Sequence, residues 1–257
     1  MPFYSIAKST RNPWEYYVIT TPDRKTADLF YRYLQERPID INQHPKVSKL
    51  CRTSTQMWKL RMPSDSNLQH VVAELSNPWH KRFGDLVGSV IIEKHSTIEA
   101  KETAGVPVIP HIDTADSPVI VSGGEYLIRN KFDHSQYWGM SNVSERSTQR
   151  HVERPHATAF CIELANKYLK IKGEPLLIDS DEVFISARHD GVIYPIYYNQ
   201  DGKLCTNVTP GSSGAFKFGH FQQGNYMAHD FHSGESVNIF YYPEYSGPAR
   251  EAWELVL

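Results

Sequence analysis

Residues 16–30 read YYVITTPDRKTADLF, and they decide how the first part of the chain is organised. Tyr16 to Thr20 is a β-branched and aromatic run, which predicts a strand. Thr21-Pro22-Asp23 then supplies a capping hydroxyl, a proline at the first helical position and an acid in the first turn, so a helix is expected to run to about Glu36. The stretch predicts a strand followed directly by a helix.

Further signals of the same two kinds follow along the first hundred residues. Strands are predicted for Lys46 to Thr53, Gln56 to Met62 and Ser89 to Glu93, and Pro63-Ser64-Asp65 opens a second predicted helix. The order βαββαβ is the split βαβ arrangement, in which a small antiparallel sheet is covered on one face by two helices. We expect this ferredoxin-like domain to span residues 1–101.

The second half of the chain has a different pattern. Residues 102–118 contain three prolines and no sustained periodicity, which predicts a linker. Residues 119–257 alternate short apolar runs with turn residues, as in a sandwich or a barrel. Three similar strand openings favour a three-fold barrel, although their uneven spacing leaves a sandwich open: Tyr126-Leu-Ile128, Tyr168-Leu-Lys-Ile171 and Ile193-Tyr-Pro-Ile196. The predicted fold class is therefore α+β followed by all-β: a ferredoxin-like βαββαβ domain and then a β-trefoil.

Composition suggests neither a nucleic-acid nor a membrane partner. The net charge is -2 and the pI is about 6.6, so there is no basic surface for nucleic acid. No apolar run is long enough to span a bilayer or to act as a signal peptide. The three cysteines are widely spaced and odd in number, which is typical of thiols in a reducing compartment. We expect a cytoplasmic protein.

Motifs for catalysis, cofactors and metals are weak. The chain has neither Gly-x-Ser-x-Gly nor His-Glu-x-x-His, and it has no glycine loop that would cradle a phosphate. His229-Asp230-Phe231-His232 brings two imidazoles near a carboxylate, but nothing identifies a third convergent ligand. We therefore expect a binding protein without a cofactor or a metal, rather than an enzyme.

The last predicted strand of the first domain continues as SVIIEKHS, residues 89–96. With the βαββαβ order, this ending resembles the subtilisin-propeptide type of protease inhibitor, in which the segment after the last strand enters the protease cleft. The resemblance implies a contact tail that begins with Glu93, Lys94 and His95 and continues through Ser96 and Thr97.

Both ends of the second half carry a second resemblance. Its motifs are Tyr126-Leu-Ile128-Arg-Asn130, Tyr137-Trp138-Gly139, Glu145-Arg146-Ser147 and Ala252-Trp-Glu-Leu255. They resemble the fungal, mushroom-type β-trefoil protease inhibitors, and this implies a serine protease as partner, bound through an exposed loop. The same openings and the same terminal tryptophan occur in ricin-B-like trefoil lectins, so carbohydrate binding is the alternative.

The charged stretch NVSERSTQRHVERP, residues 142–155, is the predicted protease-binding loop. An arginine can satisfy the carboxylate of a trypsin-like primary pocket through bidentate hydrogen bonds. The candidates are Arg146, Arg150 and Arg154, with Asn142 as a residue that could brace the loop. The alternative is a solvated loop whose glutamates neutralise the arginines with little energetic gain.

Aromatic residues crowd the last third of the chain and suggest a sugar site. Tyr241 and Tyr242, with Asn225 or Asp230 nearby, combine stacking faces with hydrogen-bonding groups. Strand aromatics are also common core residues, because consecutive side chains point to opposite faces. A third hypothesis is an interaction module in which the first domain pairs with itself.

Overall fold

A computed structural model describes residues 2–12, 14–36, 47, 49–61, 68–73, 75, 83–96, 118–140, 148–151, 157–166, 171, 174–189, 191–206, 211–229, 237–247 and 251–257. The chain forms two compact units, one of Met1–Val119 with Leu169–Leu176 and one of Ile120–Tyr168 with Leu177–Leu257. Over the described ranges the protein is mostly β, with seventeen strands in several sheets and three helices. All of the predicted linker except its last residue lies outside these ranges.

The N-terminal unit is a five-stranded sheet with two helices. Its elements are β1 (Phe3–Ser9), β2 (Glu15–Thr21), α1 (Arg24–Glu36), β3 (Lys49–Arg52), β4 (Met57–Arg61), α2 (Leu68–Ala73) and β5 (Ile91–Ser96). The strand order is β3-β4-β1-β2-β5, and β1 runs parallel to β4 while the other neighbours are antiparallel. The sheet is therefore mixed, whereas a purely antiparallel one was expected, and the ferredoxin-like arrangement is not confirmed.

The first strand is the element that the sequence prediction missed. β1 lies between β2 and β4, so two of the predicted strands are separated by a strand that was not expected. Its inward positions are Phe3, Ser5 and Ala7, all buried. Serine and alanine give little hydrophobic periodicity, although their small size lets α1 pack close to the sheet. The pattern in FYSIAKS was therefore too weak to predict a strand.

The helix α1 begins close to the predicted position but with a different cap. The carboxylate Oδ1 of Asp23 accepts hydrogen bonds from the backbone N–H of Thr26, at 2.8 Å, and from its hydroxyl, at 2.8 Å. The bond from this backbone N–H lowers the pKa of Asp23. Thr21, the expected cap, donates its hydroxyl to the carbonyl oxygen of Asp23 instead. The acidic side chain is the better cap because it satisfies a free amide of the first turn with a full charge.

A short segment from later in the chain completes the N-terminal unit. Gln35 of α1 donates from Nε2 to the carbonyl of Glu174, at 2.8 Å, and accepts at Oε1 from the backbone N–H of Leu176, at 3.1 Å. The buried Arg32 donates to the carbonyl of Leu176, at 3.0 Å. Two side chains of α1 therefore form hydrogen bonds with the backbone of this segment, as a neighbouring strand does in a sheet. No sequence pattern indicated these contacts.

The C-terminal unit contains the remaining strands and one short helix. They are β6 (Gly124–Asn130), β7 (Tyr137–Met140), β8 (Thr148–His151), β9 (Phe160–Leu164), β10 (Glu182–His189), β11 (Val192–Pro195), β12 (Tyr197–Tyr198), β13 (Leu204–Cys205), β14 (Phe216–Lys217), α3 (His220–Gln223), β15 (Tyr226–His229), β16 (Val237–Tyr241) and β17 (Trp253–Val256). Gly224, with φ of 81°, ends α3 in the left-handed conformation that glycine adopts without strain.

The large sheet of this unit follows the path β11-β10-β9-β6-β7-β8-β16-β15, with β14 beside β10 and β17 beside β6. Over the described strands this pairing does not close into a barrel, so the expected β-trefoil is not confirmed. The predicted three-fold repeat also disagrees with the way the chain divides into two units. Its second strand opening, which starts at residue 168, overlaps Leu169–Leu176, and this segment belongs to the N-terminal unit.

Aromatic rings form the centre of the C-terminal unit. The buried indole of Trp138 lies 5.2–5.8 Å, centroid to centroid, from Phe160, Phe221, Tyr226 and Trp253. The indole N–H of Trp253 donates to the carbonyl of Tyr226, at 3.1 Å. Rings of this size remove much apolar area from water, and their edge-to-face contacts add stability beyond that burial. The two tryptophans of the family resemblance are therefore core residues.

Candidate ligand-binding pocket and predicted loop

A recess of about 270 Å³ opens in the C-terminal unit. It lies where the start of β10, the strand β14, the first residue of α3 and the end of β16 meet. Its chemically active lining residues are Glu182, Tyr198, Lys217, His220, Tyr241 and Glu244. Two carboxylates, an ammonium group, an imidazole and two phenols thus line one small recess.

Neighbouring strands place the two long charged side chains of the recess together. Glu182 and Lys217 are direct cross-strand partners of β10 and β14. Opposite charges at such positions stabilise a strand pair by a few tenths of a kcal/mol, up to about 1 kcal/mol. Tyr198 is fixed on the other side by two backbone hydrogen bonds with Ser213, of 2.8 and 3.0 Å. The recess is therefore held by paired backbone on two sides.

A hydrogen bond joins His220 and Tyr241, which both line the recess. The distance from Nδ1 of His220 to the hydroxyl oxygen of Tyr241 is 2.8 Å. The backbone N–H of Lys217 donates weakly to the same oxygen, at 3.4 Å. This arrangement directs the phenolic proton to Nδ1 and favours the imidazole tautomer that carries its proton on Nε2.

Burial sets the protonation of this pair. It lowers the pKa of His220, and the charge of nearby Lys217 lowers it further, while Glu244 opposes the shift. Burial also raises the pKa of Tyr241 to about 12. At neutral pH both rings are therefore uncharged, and the recess contains a hydrogen-bonding pair rather than an ion pair.

The predicted sugar residues are only partly brought together. Tyr241 lines the recess, whereas Asn225 is buried outside its lining. Nδ2 of Asn225 donates to the carbonyls of Tyr242, at 2.8 Å, and Tyr245, at 3.3 Å. Tyr242 stacks on Phe240 at 6.4 Å, and Asp230 lies outside the described residues. One predicted residue of the four, Tyr241, therefore lines the recess. A sugar-binding role for the other three stays a prediction.

Sequence patterns did not indicate the other lining residues. His220, Lys217 and Glu182 are far from Tyr241 along the chain, and only the pairing of β10 with β14 and the short helix α3 unite them. Within the stretch Gly211-Ser-Ser-Gly214, Ser213 is paired with Tyr198. A glycine-rich turn between aromatic strands is the one signal that could have suggested a recess here.

The predicted protease-binding loop is described only at its edges. Asn142, Arg146 and Arg154 lie outside the described residues. The backbone of Arg150 lies in β8, paired with Trp138 of β7 on one side and with Val237 of β16 on the other. A strand hydrogen-bonded along both edges is not a free loop, so the backbone of Arg150 lies in a sheet, and a part for Arg150 in protease binding stays a prediction. Met140 and Thr148, which flank residues 141–147, are paired with each other.

The predicted contact tail of the N-terminal unit lies within a strand. Glu93, Lys94 and His95 belong to β5, which pairs with β2 along Glu15–Thr20. The imidazole of His95 stacks on Tyr16 at 5.3 Å, and Nζ of Lys94 lies 3.0 Å from a carboxylate oxygen of Glu15. Lys94 and His95 therefore contact the neighbouring strand β2, whereas Glu93 is exposed. A protease contact by these three residues stays a prediction.

The described residues contain no candidate metal site. There, no group of three or more His, Cys, Asp or Glu side chains is placed to hold a metal ion. Asp230, Phe231 and His232 of the weak metal motif lie outside the described ranges. Within those ranges, no helix is both long and apolar enough to cross a bilayer.

Comparisons with known proteins give no family. No protein-family model matches the chain, and no curated protein matches it. Among solved structures, a chain of the crystal structure of the lysenin pore is similar, with a TM-score of 0.33 and 14% identity. That likeness covers 65% of this chain and 58% of the lysenin pore chain, so less than two thirds of the latter is spanned. A likeness of this size assigns neither a fold nor a function.

Proposed function

We propose that the protein is a non-enzymatic binding protein and that its C-terminal unit binds a carbohydrate in the recess around Tyr198 and Tyr241. The observation that carries the proposal is the lining, which combines aromatic rings with carboxylates and a lysine. Sugar hydroxyls can donate to Glu182 and Glu244 and accept from Lys217, while the partly exposed ring of Tyr198 can pack on the face of a pyranose.

The size of the recess limits the ligand. Pockets for drug-sized molecules are about 300–1,000 Å³. A recess of about 270 Å³ suits one sugar ring better than an extended chain. A cytoplasmic setting is part of the proposal, because Cys51 and Cys161 are free thiols, as expected in a reducing compartment.

A glycan array followed by calorimetric titration tests this proposal. The full chain should bind at least one sugar class, and Glu182→Gln and Tyr198→Ala should each weaken binding by at least about tenfold, since each removes a direct contact. Glu163→Gln is the matched control, because Glu163 is an exposed glutamate on β9 outside the recess. The absence of any bound glycan, or an equal loss with the control variant, would contradict the proposal.

We further propose that the protein blocks a serine protease through residues 141–147, with Arg146 as the anchor. The supporting observation is the pairing of Met140 with Thr148, which joins both ends of this segment to one sheet. Function commonly lies on segments carried by rigid strands, and a fixed frame lowers the entropy cost of binding. Arg150 is not included, because its backbone is held in β8.

Inhibition assays with trypsin, subtilisin and a papain-like protease test this second function. Arg146→Ala should raise the inhibition constant for trypsin by at least about tenfold through loss of the bidentate contact. Arg150→Ala should change it little. No inhibition by the full chain at micromolar concentration in any of the three assays would refute this function while leaving the carbohydrate proposal untouched.

A further inference from the structure

Exposed cations collect on one face of the N-terminal sheet. Trp58 of β4 packs on Tyr31 of α1, at 5.1 Å between ring centroids, so its side chain lies on the face that this helix covers. Successive side chains of a strand point to opposite faces, so Lys59 and Arg61 lie on the other face, and both are exposed. The face of the sheet that carries Lys59 and Arg61 is the open face.

Strand pairing adds two lysines to the open face. Lys8 of β1 is the direct partner of Lys59, Lys49 of β3 is the direct partner of Arg61, and both lysines are exposed. Neighbouring strands are about 4.8 Å apart and alternate residues of one strand about 6.8 Å apart, so the four positions span about 10 Å by 7 Å. These four residues form the basic patch: Lys8, Lys49, Lys59 and Arg61.

The lysines of the basic patch have no acidic partner within the described part of the chain. On the helix-covered face of the same sheet, by contrast, Arg52 pairs with Asp28, at 2.6 Å, and Lys94 pairs with Glu15, at 3.0 Å. Like charges directly opposite each other destabilise a strand pair. The patch therefore costs the sheet stability, and a partner with closely spaced negative charges would remove that cost.

The charge of the whole chain hides this surface. A net charge of -2 predicted no basic surface for nucleic acid, yet it is the sum of two units of opposite sign. The N-terminal unit has 17 Lys and Arg against 14 Asp and Glu, a charge of +3, and the C-terminal unit has 10 against 15, a charge of -5. Binding of a polyanion depends on the charge of one face, which the total does not describe.

Apolar side chains continue the open face beside the basic patch. Ile6 and Met57 are direct partners of β1 and β4, two residues before Lys8 and Lys59 in their strands. Together with Tyr4, these two side chains are half-buried. Half-buried side chains do not protrude far enough to enter a lipid layer, but the flat face of a nucleobase can pack on them.

We propose that the open face binds single-stranded nucleic acid, with phosphates on the basic patch and bases on Tyr4, Ile6 and Met57. This binding function is separate from the recess of the C-terminal unit. Proteins that bind single strands without strong sequence preference combine a cationic surface with rings on which bases stack. A duplex keeps its bases stacked inside and leaves the apolar side chains unused.

The spacing of the cations also suits a single strand. One strand of a duplex advances about 3.4 Å per phosphate, and an unstacked single strand advances further. Lys59 and Arg61 are about 6.8 Å apart along β4, because a strand rises about 3.4 Å per residue. Successive phosphates of an extended strand can therefore reach successive cations of the patch.

Fluorescence anisotropy with a labelled oligodeoxythymidine of about 12 nucleotides tests the proposal, since that length lies within the site sizes of single-strand-binding domains. The full chain should bind it. The slope of log K against log salt should be about -3, because each neutralised phosphate of a single strand contributes about -0.7. Lys59→Gln, at the centre of the patch, should weaken binding about fivefold and change the slope to about -2.

A charge reversal separates binding from folding. Lys8→Glu places a carboxylate directly opposite Lys59, so it should weaken oligonucleotide binding by at least about tenfold and raise the midpoint of urea unfolding. A variant that is merely misfolded would lower both. Lys94→Gln is the matched control, because Lys94 belongs to the same unit but lies on the helix-covered face beside Glu15. It should leave the affinity and the salt slope unchanged.

A second variant tests the apolar part of the face. Tyr4→Leu keeps an apolar side chain but removes the ring, so it should lower the affinity for the oligonucleotide by at least about fivefold. The salt slope should stay the same, since no cation is lost.

Several results would overturn the inference. An oligonucleotide that does not bind at micromolar protein in low salt, or equal binding by the wild type and Lys8→Glu, would do so. Binding to phosphatidylserine vesicles without oligonucleotide binding would assign the patch to a membrane surface instead. Tighter binding of a duplex, with no effect of Tyr4→Leu, would refute the single-strand assignment. Glycan binding is measured at the other unit, so the two functions fail independently.

Discussion

Trp58 and Trp138 are both fully buried, yet the two indoles lie in clusters of different chemistry. In the N-terminal unit, Trp58 packs against Tyr31, at 5.1 Å, and the guanidinium of Arg52 lies over both rings, at 5.5 and 5.7 Å from the two centroids. That cluster ends at an ion pair of 2.6 Å between Arg52 and Asp28.

In the C-terminal unit the aromatic cluster continues to the recess. Trp138 contacts Tyr226, and the ring of Tyr226 lies 4.8 Å from Tyr241, which is hydrogen-bonded to His220. Because close-packed rings transmit displacement, a change at Trp138 should reach the candidate site. Two similar core residues therefore differ in what their clusters reach, an ion pair in one unit and the recess of the proposed carbohydrate site in the other.

The largest expected effect comes from removing each indole. Trp138→Ala and Trp58→Ala should each lower the free energy of unfolding of their own unit by about 3–5 kcal/mol through the cavity that remains. Only Trp138→Ala should also shift the NMR resonances of His220. Hydrogen exchange followed by mass spectrometry can measure stability in each unit separately. Equal shifts of the His220 resonances in both variants would remove the distinction between the two clusters.

Each cluster contains a tyrosine with a raised pKa, so the stability of each unit should depend on alkaline pH. Burial raises the pKa of Tyr31 and of Tyr241 to about 12. The unfolded chain loses these protons near pH 10. Each tyrosine's contribution to the free energy of unfolding is therefore complete below about pH 10, and it falls by at most about 3 kcal/mol as the pH rises towards 12. This alkaline loss of stability can be measured by urea unfolding at several pH values, for the wild type, Tyr31→Phe and Tyr241→Phe. Phenylalanine should reduce the alkaline loss, and three identical pH profiles would contradict this.

A smaller effect is expected from the cation that distinguishes the N-terminal cluster. Arg52→Lys keeps the charge but loses the planar group that lies over Tyr31 and Trp58, so it should cost about 1–2 kcal/mol. Arg61→Lys, at an exposed position of β4, is the matched control and should cost less than about 0.5 kcal/mol. Urea unfolding compares the two variants. A cost no greater than that of the control would show that the stacked guanidinium adds nothing to the cluster.

The smallest effect is expected at Tyr226. Its hydroxyl is buried and has no hydrogen-bond partner within the described part of the chain, and burial raises the pKa of this phenol well above its ordinary value. Tyr226→Phe removes a desolvated polar group and keeps the ring, so stability should stay unchanged or rise by up to about 1 kcal/mol. A loss of more than about 1 kcal/mol in urea unfolding would instead indicate that the hydroxyl has a bound partner, such as water.

Local patterns predicted the elements whose signals are strong. The run from Tyr16 predicted a strand and a helix, and the structure contains β2 at Glu15–Thr21 and α1 at Arg24–Glu36. β1 was missed because Ser5 and Ala7 are buried positions with very small side chains. Strand propensity reflects how a side chain packs on a half-buried sheet surface, so small inward residues leave little trace in the sequence.

The candidate sites were harder to predict because their residues are far apart in sequence. Tyr241 was selected as one of many aromatics, but its partner His220 could be identified only once α3 and the end of β16 were placed.

The sequence by itself determined the strand and helix segments with clear periodicity, the near-neutral charge and the aromatic richness of the second half, because propensity, charge and composition are local properties. Only the tertiary structure decided that β1 enters the first sheet, that Arg150 lies in a paired strand, and that His220 meets Tyr241. Each of these depends on hydrogen bonds and packing between residues distant in sequence, whose free energy no local pattern contains.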